Sequence, residues 1–258
     1  MQTITRIKVC LNGGRRRDDH PGVPFTPAEL ALSAAGAVAA GAEAIHVHPR
    51  GADGRESLRA ADIGAAVAAI RQASPGIPVG VSTGLWITGA DPEARHEAVA
   101  EWASLPAAAR PDFASVNLSE PGPDQLAGVL DGAGIRVEAG VWSVEDVDTL
   151  VATGPGAGWL RVLVEIMHGP RAGATAKADQ ILGALDEAGV PQPRLLHGEG
   201  EACWPLIAHA GRRGLPTRVG LEDTAVRPDG GLARSNAELI RLALDEWTAA
   251  AAWQAPSR

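Results

Sequence analysis

Ala44-Ile-His-Val-His48, an Ala-rich stretch around 59–73, and Pro78-Val-Gly-Val81 follow one another in the chain. The first and last are short β-branched runs and the middle one is helical, so together they read as strand, helix, strand. Two strands joined by a helix pair in parallel, because a parallel pair needs a crossover of a dozen residues or more. Reading outward, the same alternation recurs along the whole chain. Ile4–Leu11 is a strand, and Thr26-Pro27-Ala28-Glu29 opens a helix with a cap, a first-turn proline and a glutamate three residues on. Strands at Asp112–Asn117, Ile135–Glu138, Leu160–Ile166, Arg194–His197 and Thr217–Leu221 alternate with helices near 92–104, 122–131, 174–188 and 201–212. Ser143-Val-Glu-Asp146 and Ser235-Asn-Ala-Glu238 cap two more. Eight such units in 258 residues match a (β/α)8 TIM barrel. An open doubly wound sheet is the alternative, since periodicity does not show closure.

Composition agrees with a globular chain: 45% hydrophobic and 21% charged. No linker divides it, so 1–258 reads as a single TIM-barrel domain. The 23 basic and 31 acidic residues leave a net charge of −8, which argues against a nucleic-acid or acidic-membrane binder. The N-terminal residues lack a signal peptide pattern and no run approaches a membrane span, so a cytoplasmic protein is expected. Cys10 and Cys203 form no CxxC pair.

In such a barrel the reactive groups stand at the C-terminal ends of the strands and in the loops after them. His46 and His48 end the second strand and project to one face, two nitrogen donors suited to zinc. Arg218-Val-Gly-Leu-Glu222-Asp223 ends the eighth strand, two strands away across the mouth, so Glu222 is the expected third ligand. Arg218 and Glu222 are four apart and are expected on one strand face, with Asp223 turning back onto Arg218. Gly80-Val-Ser82-Thr83-Gly84 matches the nucleophile-elbow pattern, yet Gly89 and Pro92 delay the helix that an elbow needs. Ser82 is therefore expected as a hydroxyl donor, with Ser115 and Asn117 as further donors on the fourth strand. Glu138, Glu165, His168 and His197 also end strands, and the residues alone do not choose among them. His20, His96 and His209 read as structural or exposed. Only two lysines exist, Lys8 in a strand body and Lys177 in a helix, so Schiff-base chemistry is not expected.

These residues resemble a known family, the β-keto acid cleavage enzymes, from about Lys8 to about Glu238. The matching stretches are Asn12-Gly-Gly, His20-Pro-Gly-Val-Pro-Phe-Thr26, Gly41–His48 with Arg50, Ser82-Thr-Gly84, Ser115-Val-Asn117, Arg218–Asp223 and Ser235-Asn236. The resemblance implies a zinc-dependent homo-oligomeric TIM barrel (dimer or tetramer) that turns a β-keto acid and acetyl-CoA into acetoacetate and a new acyl-CoA. It assigns zinc to His46, His48 and Glu222. Substrate oxygens fall to Ser82 and Ser115, the proton-abstracting dyad to Arg218 and Asp223, and Thr83, Gly84, Asn117 and Glu138 are the further expected substrate-binding residues. Arginine is a poor base, with a pKa above about 12. Asp223 is thus the expected proton acceptor and Arg218 a relay or carboxylate anchor. The family's aminated-substrate branch carries a glutamate for the substrate ammonium where this chain has Gly14, so an amino-substituted substrate is not expected. Two other readings stand beside this one: a zinc-dependent hydrolase of the amidohydrolase type, and a barrel that binds without catalysis.

Overall fold

The computed structural model describes residues 4–154, 156, 158–167 and 170–253. Strands β1 (Ile7–Cys10), β2 (Ala44–Val47), β3 (Val79–Ser82), β4 (Phe113–Asn117), β5 (Arg136–Val141), β6 (Trp159–Ile166), β7 (Arg194–Gly198) and β8 (Thr217–Val219) run parallel in the order β7-β6-β5-β4-β3-β2-β1-β8. Helices α1 (Pro27–Ala39), α2 (Ala60–Ala73), α3 (Pro92–Ala100), α4 (Pro123–Gly132), α5 (Val144–Thr153), α6 (Ala174–Glu187), α7 (Cys203–Arg213) and α8 (Asn236–Ala252) follow the strands in turn. The Leu196 amide donates to the Pro216 carbonyl at 2.9 Å, so β7 meets the end that leads into β8 and the sheet closes. This is a (β/α)8 barrel, not the open sheet. None of the described helices is long and apolar enough to cross a membrane.

The helices start where short-range chemistry directs. Thr26 Oγ1 accepts the Glu29 amide at 3.2 Å while Glu29 accepts the Thr26 amide at 3.0 Å, and Pro27 needs no partner for its nitrogen. Their apolar faces pack on the strands through Ile63, Val67, Leu130, Leu150, Ile181, Leu206 and Ile240, all nearly inaccessible.

Alternation sends every second strand residue inward. The inner floor is apolar, built from Ile4, Ala44, Phe113, Leu163 and Leu195. Phe113 fits because Gly80 opposite has no side chain: a Cβ there would lie 1.9 Å from the ring. Beside the Phe113 ring lies a buried charged layer. Lys8 Nζ sits 2.5 Å from Glu138 Oε2, Arg161 Nε sits 3.1 Å from Glu138 Oε1, and both cations stand over the Phe113 ring. Glu138, assigned to substrate on the sequence, is thus fully buried between two cations and is not among the side chains that line the cavity above. Its ion pairs with Lys8 and with Arg161, its register partner on β6, keep the carboxylate in the barrel interior, although its partner on β4, Ser115, lines the mouth.

Removing Glu138 leaves two buried cations facing each other. Glu138→Ala is expected to lower unfolding free energy by about 3–5 kcal/mol, read from the urea midpoint. A variant as stable as the parent means that the two cations find water.

Candidate active site

The C-terminal mouth holds a cavity of about 560 Å³, and its lining draws on residues from every strand end or the loop beyond it except β7's strand residues themselves. A cluster of residues that could hold a metal ion lies at the ends of β2 and β8. His46 Nε2 and His48 Nε2 are 3.1 Å apart, and Glu222 approaches them at 3.9 and 3.6 Å. Two imidazole nitrogens bound tetrahedrally at 2.0–2.1 Å lie roughly 3.3 Å apart, so the spacing fits a divalent ion. The donor atoms of these three residues all fall within 4.8 Å of one another. Glu222 Oε2 is buried without a hydrogen-bond partner, an acceptor that a cation would satisfy. His48 Nδ1 meets Glu56 Oε1 at 2.5 Å, which fixes a proton on Nδ1 and makes Nε2 the nitrogen that a metal ion would take on displacing its proton.

Local structure carries these side chains into place. Asn12 holds the end of β2: its Oδ1 accepts the His48 amide at 2.9 Å, and its Nδ2 donates to the His48 carbonyl at 2.8 Å. Gly13 lies in the left-handed region at φ +52°, and a Cβ there would lie 2.5 Å from Glu222 Cγ. Arg50 donates to the carbonyls of Gly13 and Arg15 at 2.8 and 2.6 Å and clamps that loop. Asn236 ties β8 to β1, accepting the Leu221 amide at 2.8 Å and donating to the Leu11 carbonyl at 2.9 Å.

The end of β8 departs from expectation. The strand stops at Val219, so Arg218 and Glu222 do not share one strand face. Instead the Asp223 and Thr224 amides both donate to the Gly220 carbonyl, at 2.9 and 3.0 Å, and curl the chain back. Gly220 permits this, because a Cβ there would lie 1.7 Å from the Cys10 carbonyl oxygen. Both carboxylates then reach one guanidinium. Arg218 donates to Asp223 Oδ1 from Nε at 3.1 Å and from a terminal nitrogen at 2.8 Å, and to Glu222 Oε1 at 2.9 Å.

Burial and charge set the protonation of these groups. Burial pushes His46 well below the usual histidine range, and His48, Lys8 and Arg218 add to this. Burial also pulls on His48, but Glu222 and Glu56 override it and raise the ring to about 9. Burial opposes ionisation of Glu222, yet Arg218 and the two histidines hold it well below the carboxylate range. Asp223 goes the other way: burial, helped by Glu222 and opposed by Arg218, lifts it to about 7.

Ser82, Ser115 and Asn117 line the same cavity. Ser82 Oγ accepts the Gly84 amide at 3.1 Å, which leaves its own O–H to donate outward. Thr83 instead spends its hydroxyl on the Ser115 carbonyl at 2.6 Å. Gly84 acts through its missing side chain, for a Cβ would lie 2.3 Å from the Trp86 ring. No elbow forms at Ser82: a short 3-10 turn at Leu85–Thr88 follows, and α3 begins only at Pro92.

Several further residues line the cavity, of which Glu56 and Glu199 carried no sequence signal and Glu165 only its place at a strand end. Glu56 sits in the loop after β2 and takes Trp86 Nε1 at 3.1 Å as well as His48. Glu165 is buried at the end of β6 beside His197, and Trp142, Arg15 and Glu199 complete the walls. Of the other open residues, His209 pairs with Asp179 on the surface at 2.7 Å, His20 meets the Ala233 carbonyl at 2.6 Å, and His168 lies outside the described residues.

With the geometry established, the likenesses to known proteins become informative. A family profile described as beta-keto acid cleavage enzyme matches residues 5–250. Among solved structures, a ternary complex of ObcA with a C4-CoA adduct and oxalate superposes with TM-score 0.69 at 19% identity, over 88% of this chain and 64% of that one. A binary complex of ObcA with oxaloacetate gives TM-score 0.66 at 18% identity, over 88% and 63%. The chain therefore spans somewhat under two thirds of the length of ObcA. The 3-dehydroquinate dehydratase from Aquifex aeolicus VF5 gives TM-score 0.55 at 13% identity, over 93% and 96%, a likeness of fold.

The Glu56–His48 contact yields a test. Glu56→Ala removes the acceptor that fixes the His48 ring, and bound-metal titration is expected to show about 10- to 100-fold weaker affinity. Unchanged affinity means that the His48 backbone, held by Asn12, places the ring without Glu56.

Proposed function

The chain belongs to the β-keto acid cleavage enzyme family, and from that premise we propose that it is a zinc-dependent member. In this reading it condenses a β-keto acid with acetyl-CoA to give acetoacetate and a new acyl-CoA. The observation that carries the reading is the meeting of the His46–His48–Glu222 cluster with the Arg218–Asp223 pair in one cavity. ObcA, which shares the barrel, is described with a CoA adduct and with oxaloacetate, and this supports a thioester and a keto acid as co-substrates.

Held by His46, His48 and Glu222, zinc would supply Lewis-acid polarisation of a β-keto oxygen. The chain's own residues do the rest. Asp223 Oδ2 is buried without a partner, and a carboxylate lifted to about 7 is matched to taking the acidic proton between keto and carboxyl groups near neutral pH. Arg218 stays cationic and anchors the substrate carboxylate or the developing oxyanion. Ser82 and Ser115 offer hydroxyls to substrate oxygens, and Asn117 stands beside them, its amide steadied by Glu120 at 2.9 Å. Lys8 is consumed by Glu138 in the charged layer, which supports an enolate route over an imine.

The tail of the substrate faces Gly14. The nearest carboxylate there is Glu56, whose Oε2 would lie 3.3 Å from a Cβ at position 14. Its two oxygens already serve His48 and Trp86, so an ammonium tail would compete with both for this carboxylate. Arg15 also lines this side, whereas Arg17 turns outward to Glu29 at 2.8 Å.

Two experiments test the reading. Asp223→Asn should retain its metal while turnover with acetyl-CoA falls by about 100-fold or more. A parent that consumes keto acid without acetyl-CoA points instead to the zinc hydrolase. For the tail, 3-oxohexanoate should exceed 5-amino-3-oxohexanoate by at least about tenfold in kcat/KM, roughly 1.4 kcal/mol. Preference for the amine reverses the reading of Gly14.

A further inference from the structure

One buried carboxylate at the mouth is not used by the reaction just described. Glu165 ends β6, is 5% exposed, and lines the cavity. Its Oε1 accepts Trp142 Nε1 at 3.2 Å and its Oε2 accepts His197 Nε2 at 2.6 Å. The same Oε2 lies 3.6 Å from the terminal nitrogen of Arg218 that neither Asp223 nor Glu222 holds. A carboxylate of this kind is costly to bury, and a role in packing alone would be filled better by an apolar side chain.

The neighbouring strand makes room for it. Gly140 of β5 sits against this carboxylate, and a Cβ there would lie 2.6 Å from Glu165 Oε1 and 2.8 Å from Asn117 Oδ1. Gly140 has no positive φ, so the backbone does not need a glycine at this point. The requirement is steric, and it concerns Glu165 and, next to it, Asn117.

The hydrogen bonds also fix a direction. The ionised Glu165 only accepts, so His197 carries its proton on Nε2 and presents a bare Nδ1. That nitrogen is buried, has no hydrogen-bond partner and faces Asp223 Oδ1 at 3.8 Å. Glu165 therefore touches both members of the pair proposed to handle the substrate: Arg218 directly, and Asp223 through His197.

We infer that Glu165 is a positioning residue for this site, aiming the free edge of Arg218 and, through His197, the Asp223 carboxyl, with Gly140 as the space it needs. The inference rests on the β-keto acid reading above. It names a residue that contributes to turnover rather than to substrate affinity. Its negative charge repels an anionic substrate, so removing it relieves binding while disturbing alignment.

The test is kinetic and compares three variants of the metal-loaded protein: Glu165→Gln, Gly140→Ala and the double variant. Gly140→Ala changes no charge and displaces Glu165 by contact alone. Each single variant is expected to keep its metal content and to lose about 10- to 100-fold in kcat, while KM for the β-keto acid does not rise. The double variant should lose no more than the worse single one, because both changes disable one device. A crystal structure of Gly140→Ala should show the Glu165 carboxylate moved off Arg218. The inference fails if both singles turn over within about threefold of the parent, or if kcat falls only in step with lost metal. Additive losses also overturn it, because they assign the Gly140→Ala effect to Asn117. A parent without acetyl-CoA-dependent acetoacetate formation overturns the β-keto acid reading itself, and this inference with it.

Discussion

Arg218 is the one cation on which the mouth of the barrel depends. Its guanidinium is buried and serves Asp223, Glu222 and Glu165. Without it three carboxylates would share a desolvated pocket, and a lone buried charge already costs several kcal/mol. With it, Glu222 stays ionised and available to a metal ion while Asp223 sits high enough to take a proton. One side chain thus divides two adjacent carboxylates into two roles. The division comes from environment, since Glu222 also gains His46 and His48 whereas Asp223 is raised by burial and by the neighbouring carboxylates Glu222 and Glu199.

The barrel repeats one structural device to admit such groups. A missing side chain on one strand opens space for a functional side chain from its neighbour. Gly80 admits the Phe113 ring, Gly13 admits Glu222, Gly140 admits Glu165, and Gly220 lets the last turn lie on the Cys10 carbonyl. Only the Gly13 case also needs a left-handed backbone, so most of these glycines answer to packing. The charged layer of Lys8, Glu138 and Arg161 packs against the Phe113 ring and takes no part in lining the cavity.

Much of this was legible along the chain. Alternation of β-branched runs with capped helices gave eight units, and the cap residues Thr26, Ser143 and Ser235 all stand where their helices begin. The histidine pair was legible because strand geometry places residues two apart on one side. Glu222 and Asp223 were legible as strand-end carboxylates, although the turn that presents them was not. Its cause is an approach between β8 and the Cys10 carbonyl, and no local pattern encodes a distance between strands 210 residues apart in the numbering of Cys10 and Gly220.

By itself, then, the sequence determined the repeating unit and which histidines and carboxylates stand at strand ends, because these follow from periodicity and local hydrogen bonding. Tertiary structure alone decided which strand-end carboxylates face the mouth. Glu138 and Glu165 look alike in sequence, each inside a β-branched run that ends a strand. Barrel closure sets Glu138 between Lys8 and Arg161 and sets Glu165 against His197 and Arg218. It likewise brings Glu56 from its loop onto His48. A carboxylate's role depends on the charge it meets across space, and which charge that is becomes defined only when the strands take their register around the barrel.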